Sequence, residues 1–123
     1  MKLLLAEDND IFRKSLLYFL SNNGYNVTGV DNGLDAIELL RKEPFDLIIT
    51  DVNMPFAGGM ELINLVRTEL KSQIPIIVLT SSNVEQTELE AFDLGASEFV
   101  TKPFSPLVLV ARIEKLAKQM KLQ

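Results

Sequence analysis

Between Phe45 and Pro55 the chain reads Phe-Asp-Leu-Ile-Ile-Thr-Asp-Val-Asn-Met-Pro. Leu47-Ile48-Ile49 is apolar at successive positions, without the alternation of a strand that has one wet face. Such a run suits a strand buried on both sides, which calls for a parallel sheet covered by helices on both faces. The run ends on a carboxylate, Asp51. Met54-Pro55 and Gly58-Gly59 then break the strand, because proline lacks the N–H that an interior ladder uses. Open α/β sheets bind ligands beyond the carboxyl ends of their strands. Asp51 is therefore the first candidate for a functional group.

The flanking sequence supplies a sheet around this strand. Leu3-Leu4-Leu5-Ala6 is a short apolar strand ending in Glu7 and Asp8. Asn9 or Asp10 can cap the helix that follows, with Ile11, Phe12, Leu16, Phe19 and Leu20 at helical spacing. Asn22-Asn23-Gly24 stops it. Tyr25–Val30 is β-branched and alternating, a second strand. Asp31-Asn32-Gly33 turns into a second helix carrying Leu34, Ile37, Leu39 and Leu40, and Pro44 marks its end. After the strand at Asp51, a third helix from Gly58 to about Lys71 places Leu62, Leu65, Val66 and Leu70 inward.

Pro75–Leu79 is a fourth strand, apolar throughout, ending on Thr80-Ser81-Ser82. Asn83 can cap a fourth helix, weakly amphipathic through Leu89 and Phe92, which Gly95 ends. Glu98–Thr101 is a fifth strand, followed by Lys102-Pro103. Ser105 caps a last helix that opens on Pro106 and carries Leu109, Ile113, Leu116 and Met120 on one stripe. Strands alternating with helices imply parallel pairing through right-handed crossovers. The expected fold is a doubly wound α/β domain of five strands, without a linker or repeat.

Composition narrows the chemistry. At 123 residues and 47% hydrophobic, the chain has room for one full core. A net charge of −5 argues against a nucleic-acid-binding surface. Cys and His are both absent, which removes disulfides, thiolate metal sites, catalytic triads and imidazole bases. A bound metal must take oxygen ligands, which favours Mg²⁺, Ca²⁺ or Mn²⁺ over Zn²⁺. The apolar start Met1–Ala6 is too short for a signal sequence, and no run approaches a membrane span. A cytoplasmic, soluble chain is expected.

Parallel strands point the same way, so residues just past their ends share one edge of the sheet. That edge receives Glu7 and Asp8, Asp51, Thr80 and Ser81, and Lys102 from the first, third, fourth and fifth strands. Clustered carboxylates repel, and a divalent cation held by two of them and a carbonyl resolves the conflict. An incoming phosphoryl group would bridge the cation, Lys102 and the Thr80 hydroxyl. Asp51 at the centre is the natural nucleophile, forming an acyl phosphate. Taken singly, each feature has a bland reading: a solvated acidic cap, an N-capping Asp, a turn, a surface lysine. Their joint occurrence on one edge carries the argument.

These residues give the chain a resemblance to the receiver domains of two-component response regulators. It spans residues 1–123 and rests on Leu5-Ala6-Glu7-Asp8, Asp51-Val52-Asn53-Met54-Pro55, Thr80-Ser81, Gly95-Ala96 and Lys102-Pro103-Phe104. The resemblance implies a flavodoxin-like strand order of 2-1-3-4-5 and phosphoryl transfer from the histidine of a sensor kinase or phosphotransfer protein. It implies Asp51 as phosphoacceptor, and Mg²⁺ (with Mn²⁺ as a substitute) held by Glu7, Asp8, Asp51 and the Asn53 carbonyl. Lys102 would contact the phosphate and Pro103 would follow a cis peptide bond. Thr80 and Phe99 would be the switch pair.

The C-terminal part resembles the subgroup that precedes winged-helix DNA-binding domains. For that subgroup a homodimer through helix 4, strand 5 and helix 5 is implied, with an output domain or protein as the next partner. Glu88 and Val108 depart from the subgroup's basic–acidic pair, while Glu98 and Arg112 remain available to each other. Leu107-Val108-Leu109-Val110 reads equally as core and as an exposed apolar patch. Phe56-Ala57-Gly58 lacks the Asp that many members carry just before the position of Gly59.

Two other functions compete with a phosphorylation switch. A Mg²⁺-dependent phosphatase with an aspartyl-phosphate intermediate needs a second carboxylate where Asn53 stands, and Asn transfers no protons. A non-phosphorylated adaptor of the same fold would have lost some of the polar positions, yet all are filled. Turnover on an external substrate is not expected.

Overall fold

The computed structural model describes residues 1–81 and 85–121. The elements are β1 (Lys2–Ala6), α1 (Asp10–Asn22), β2 (Asn26–Val30), α2 (Gly33–Lys42), β3 (Leu47–Asp51), α3 (Gly59–Thr68), β4 (Ile76–Thr80), α4 (Glu85–Leu94), β5 (Glu98–Thr101) and α5 (Pro106–Lys121). The five strands are parallel in the order β2-β1-β3-β4-β5, as the sequence reading has it. Every residue of β3 and β4 is buried, so the two uninterrupted apolar runs are the central strands.

Strand side chains alternate between faces, and the core divides accordingly. Leu3, Leu5, Leu47, Ile49, Ile77, Leu79 and Val100 pack with Leu16 and Leu20 of α1 and with Leu109, Val110, Ile113 and Leu116 of α5. Leu4, Ala6, Ile48, Ile76 and Val78 pack on the other side with Ala36 and Ile37 of α2, Leu62, Ile63 and Val66 of α3, and Ala91 of α4. The doubly wound arrangement follows from this two-sided burial.

Turn chemistry sets the ends. Asn9 caps α1, its Oδ1 accepting the Phe12 N–H at 2.9 Å, and Asn32 caps α2 through the Asp35 N–H at 2.8 Å. Gly24 and Gly95 take φ of +91° and +113° just after α1 and α4, a backbone region that costs glycine least. Ser105 opens α5, its Oγ accepting the Leu107 N–H at 3.3 Å. The predicted Asn83 cap of α4 lies outside the described residues.

Several inward assignments need correction. Ile11 is 83% exposed, and Leu34 is exposed as well. Ala36 lines the buried side of α2 instead. On α4, Leu89 and Phe92 are exposed and only Ala91 is buried. A methyl group fits where the helix approaches the sheet closely, and hydrophobicity alone cannot report that. Met120, near the end of α5, is also exposed. Leu107–Val110 divides, with Leu107 and Val108 exposed and Leu109 and Val110 in the core.

Candidate functional site

The sheet edge at the strand C-termini brings the predicted polar groups together. Glu7 follows β1 directly, and its N–H donates to the Val30 carbonyl of β2 at 3.0 Å. That bond holds it at the strand end, 1% exposed. Asp51 closes β3, where its Oδ1 accepts the Val52 N–H at 2.8 Å. Ligand atoms of Glu7, Asp8 and Asp51 all lie within 4.8 Å of one another.

Glycine at position 59 makes this approach fit. The Gly59 N–H donates to the Val52 carbonyl at 2.8 Å, and a Cβ there would lie 2.3 Å from the Asp51 carbonyl oxygen. The loop between is strained, with φ of +62° at Phe56 and +150° at Ala57, both costly for residues with a Cβ. Asn53 is exposed in that loop, two residues beyond Asp51.

Lys102 is the cation of the site. It follows β5, anchored by its N–H to the Thr80 carbonyl at 2.7 Å, and the Lys102–Pro103 bond is cis. Its Nζ lies 2.6 Å from Glu7 Oε1 and 3.5 Å from Asp51 Oδ2. The ammonium thus bridges two buried carboxylates and sits nearer to Glu7. Asp8 stands on the open side, its carboxyl pKa raised above the ordinary value. Desolvation is the main cause, with hydrogen bonding and charge repulsion from Glu7 adding to it.

Thr80 ends β4 fully buried, and Phe99 sits on β5 with its ring 6.4 Å from that of Phe92 on α4. Val78 pairs with Phe99 and Thr80 with Thr101. Alternation from Ile76 and Val78 puts Thr80 on the same sheet face as Phe99, toward α4. Glu7, Asp51 and Lys102 continue the opposite face, toward α1 and α5. The acidic group and the Thr80–Phe99 pair therefore meet at one edge from two sides of the sheet.

Sequence reading misses three contributors. Arg13 Nη1 donates to the Glu7 backbone carbonyl at 2.9 Å. The Phe12 ring lies under Lys102, with Nζ 4.3 Å from its centroid; helical spacing marks Phe12 only as core. Arg67 binds the Gly95, Ser72 and Ile74 carbonyls at 2.6–3.1 Å, tying α3 to the segments that start β4 and β5. No motif announces any of the three, because all depend on tertiary neighbours.

Comparison with known proteins gives this arrangement a family. The model of the response regulator receiver domain matches residues 3–114. The chain belongs to that family. This receiver domain is 36% identical over 121 residues to the uncharacterized transcriptional regulatory protein YclJ of Bacillus subtilis, covering 98% of the chain and 52% of the relative. With response regulator RR06 of Streptococcus pneumoniae it shares 35% over 119 residues, covering 97% and 54%. The receiver domain thus spans about half the length of these relatives.

Among solved structures, the receiver domain of Francisella response regulator 1452 superposes with a TM-score of 0.92 at 27% identity, covering 97% of this chain and 98% of that one. The chemotaxis response regulator CheY4 of Vibrio cholerae gives 0.86 at 31%, covering 93% and 96%. The family is one of signalling modules of two-component systems rather than of substrate-turnover enzymes. Among the described residues, no helix is long and apolar enough to cross a membrane.

Proposed function

We propose that residues 1–123 act as one phosphoacceptor switch, with Asp51 taking a phosphoryl group from the phosphohistidine of a sensor kinase or phosphotransfer protein. The observation that carries this reading is the grouping of Glu7, Asp8 and Asp51 within 4.8 Å, with Lys102 3.5 Å from Asp51. An Asp51 oxygen forms the new O–P bond as the donor's P–N bond breaks, and the departing imidazole keeps the electron pair.

Three carboxylates in one place fit a hard dication and no soft metal. Glu7, Asp8, Asp51 and the Asn53 carbonyl are the groups that would hold Mg²⁺. Bound there, Mg²⁺ would neutralise charge on the transferring phosphoryl oxygens. The Val52 N–H fixes the Asp51 carboxylate in its rotamer, and Lys102 offers its ammonium to the phosphoryl oxygens that arrive. The Thr80 hydroxyl, drawn to the phosphoryl group, and the Phe99 ring then convey the change in conformation to the α4–β5–α5 surface, where an output domain or a second copy of the chain binds.

Asn53 supports this switch over a phosphatase, since it offers no second acid–base group beside Asp51. With acetyl phosphate or phosphoramidate and Mg²⁺, intact mass should rise by one phosphate, and Asp51→Asn should abolish the gain. An unchanged wild-type mass would refute the proposal.

A further inference from the structure

The ammonium of Lys102 is held by more than its two carboxylates. Its Nζ sits 4.3 Å from the centroid of Phe12, within the distance at which a cation is attracted to the face of a ring. Phe12 is itself fixed. Its N–H makes the capping bond to Asn9 Oδ1 at 2.9 Å, and its ring meets Phe104 edge-on at 6.0 Å and 89°.

These contacts close into a circuit. Glu7 Oε2 accepts the Asn9 N–H at 3.1 Å, Asn9 Oδ1 accepts the Phe12 N–H, the Phe12 ring carries the Lys102 ammonium, and that ammonium returns to Glu7 Oε1 at 2.6 Å. The first turn of α1 and the acidic site are therefore one unit. The lysine stem has four rotatable carbons, and ordering it costs rotamer entropy. Glu7 and Asp51 hold the ammonium from the side of the carboxylates. The Phe12 ring supplies a further, apolar contact to it.

We infer that Phe12 is a positioning residue for phosphoryl transfer, keeping Lys102 inside the pocket and aimed along the Glu7–Asp51 line before the phosphoryl group arrives. The inference rests on the proposed phosphoacceptor reading and adds to it a residue outside the polar set. A leucine or methionine at position 12 would fill similar apolar volume and offer no ring face. A tyrosine would keep the face. Phe12 also lines a cavity of about 150 Å³ with residues including Ser15, Phe19 and Pro106.

The test compares wild type with Phe12→Leu, Phe12→Met and Phe12→Tyr in two measurements. The first is the rate of phosphorylation by phosphoramidate with Mg²⁺. An exposed to partly desolvated cation–π contact corresponds to about three- to tenfold, so the Leu and Met variants should slow by that factor and the Tyr variant by less than twofold. The second is the NMR shift of the Lys102 ε-methylene protons, assigned by their loss in Lys102→Arg. With Nζ over the ring, the adjacent methylene is expected upfield in wild type, and it should move toward the random-coil position in Leu and Met but not in Tyr.

Equal rates in all four proteins would overturn the inference. So would a Tyr variant as slow as Leu, which would mean packing alone, or an ε-methylene signal that stays put in Phe12→Leu and Phe12→Met. A wild-type chain that accepts no phosphate overturns the underlying reading, and the role of Phe12 with it. That outcome is distinct from one in which all variants phosphorylate alike.

Discussion

Replacing Lys102 by methionine removes the cation from a group of three carboxylates and keeps most of the stem. At 2.6 and 3.5 Å the ammonium faces Glu7, whose side chain is 1% exposed, and Asp51, at 12%. Coulomb's law with an effective dielectric constant of about 20 gives roughly 6 and 5 kcal/mol of attraction, before the cost of desolvating the ammonium. Removing one partner of a buried pair typically costs about 3–5 kcal/mol. Lys102 keeps 21% exposure, so solvent screens part of this, and about 2–4 kcal/mol is the expected loss.

In a domain of this length that corresponds to a fall in Tm of roughly 8–16 °C. Thermal and urea melts in EDTA at pH 7.5 would measure it. Adding excess Mg²⁺ should narrow the gap to wild type by at least half, since a dication on the same carboxylates replaces the missing charge. A variant as stable as wild type in EDTA would refute the ion-pair reasoning. A gap that Mg²⁺ leaves unchanged would refute the assignment of these carboxylates as ligands. Glu7→Gln in the Lys102→Met background should recover stability, because it discharges the orphaned group.

The other predictions concern groups away from the acidic cluster. Arg67→Met should cost about 2–4 kcal/mol by urea denaturation, because three carbonyls lose charged donors worth about 1.5–3 kcal/mol each while the guanidinium's desolvation penalty is relieved. That penalty is what lowers the pKa of Arg67, and a loss below about 1 kcal/mol would show that the three bonds are offset by it. Tyr25 has its pKa raised, mainly by desolvation and secondarily by Glu114. The neutral phenol is thus favoured in the fold, and the stability it contributes is present below the unfolded value of 10.0 and is lost as pH rises from there through the raised folded value. In Tyr18→Phe, absorbance titration at alkaline pH should place the Tyr25 midpoint above 10.0, and a midpoint at or below that value would refute the assignment.

Much of this molecule is legible without coordinates because its chemistry is local. The unbroken apolar runs of β3 and β4 demand cover on both faces, and that demand alone selects a parallel sheet between helix layers. Asn9, Gly24, Gly95 and Ser105 mark helix ends by what their own backbones and side chains do. Parallel strands put Glu7, Asp51, Thr80 and Lys102 on a common edge whatever the details of packing.

Tertiary structure decided what depends on distance between elements. It buried Ala91 and left Leu89 and Phe92 in solvent, because the gap between α4 and the sheet sets which side chain fits. It turned Arg67 into a clamp on two loops and set Phe12 beneath an ammonium ninety residues away. At the site, sequence named the charged groups around Asp51, and only the fold put Lys102 nearer to Glu7 than to Asp51. The physical reason is the same throughout: hydrophobicity, turn preference and strand direction act between neighbours in the chain. Pairing of charges, rings and carbonyls acts between neighbours in space.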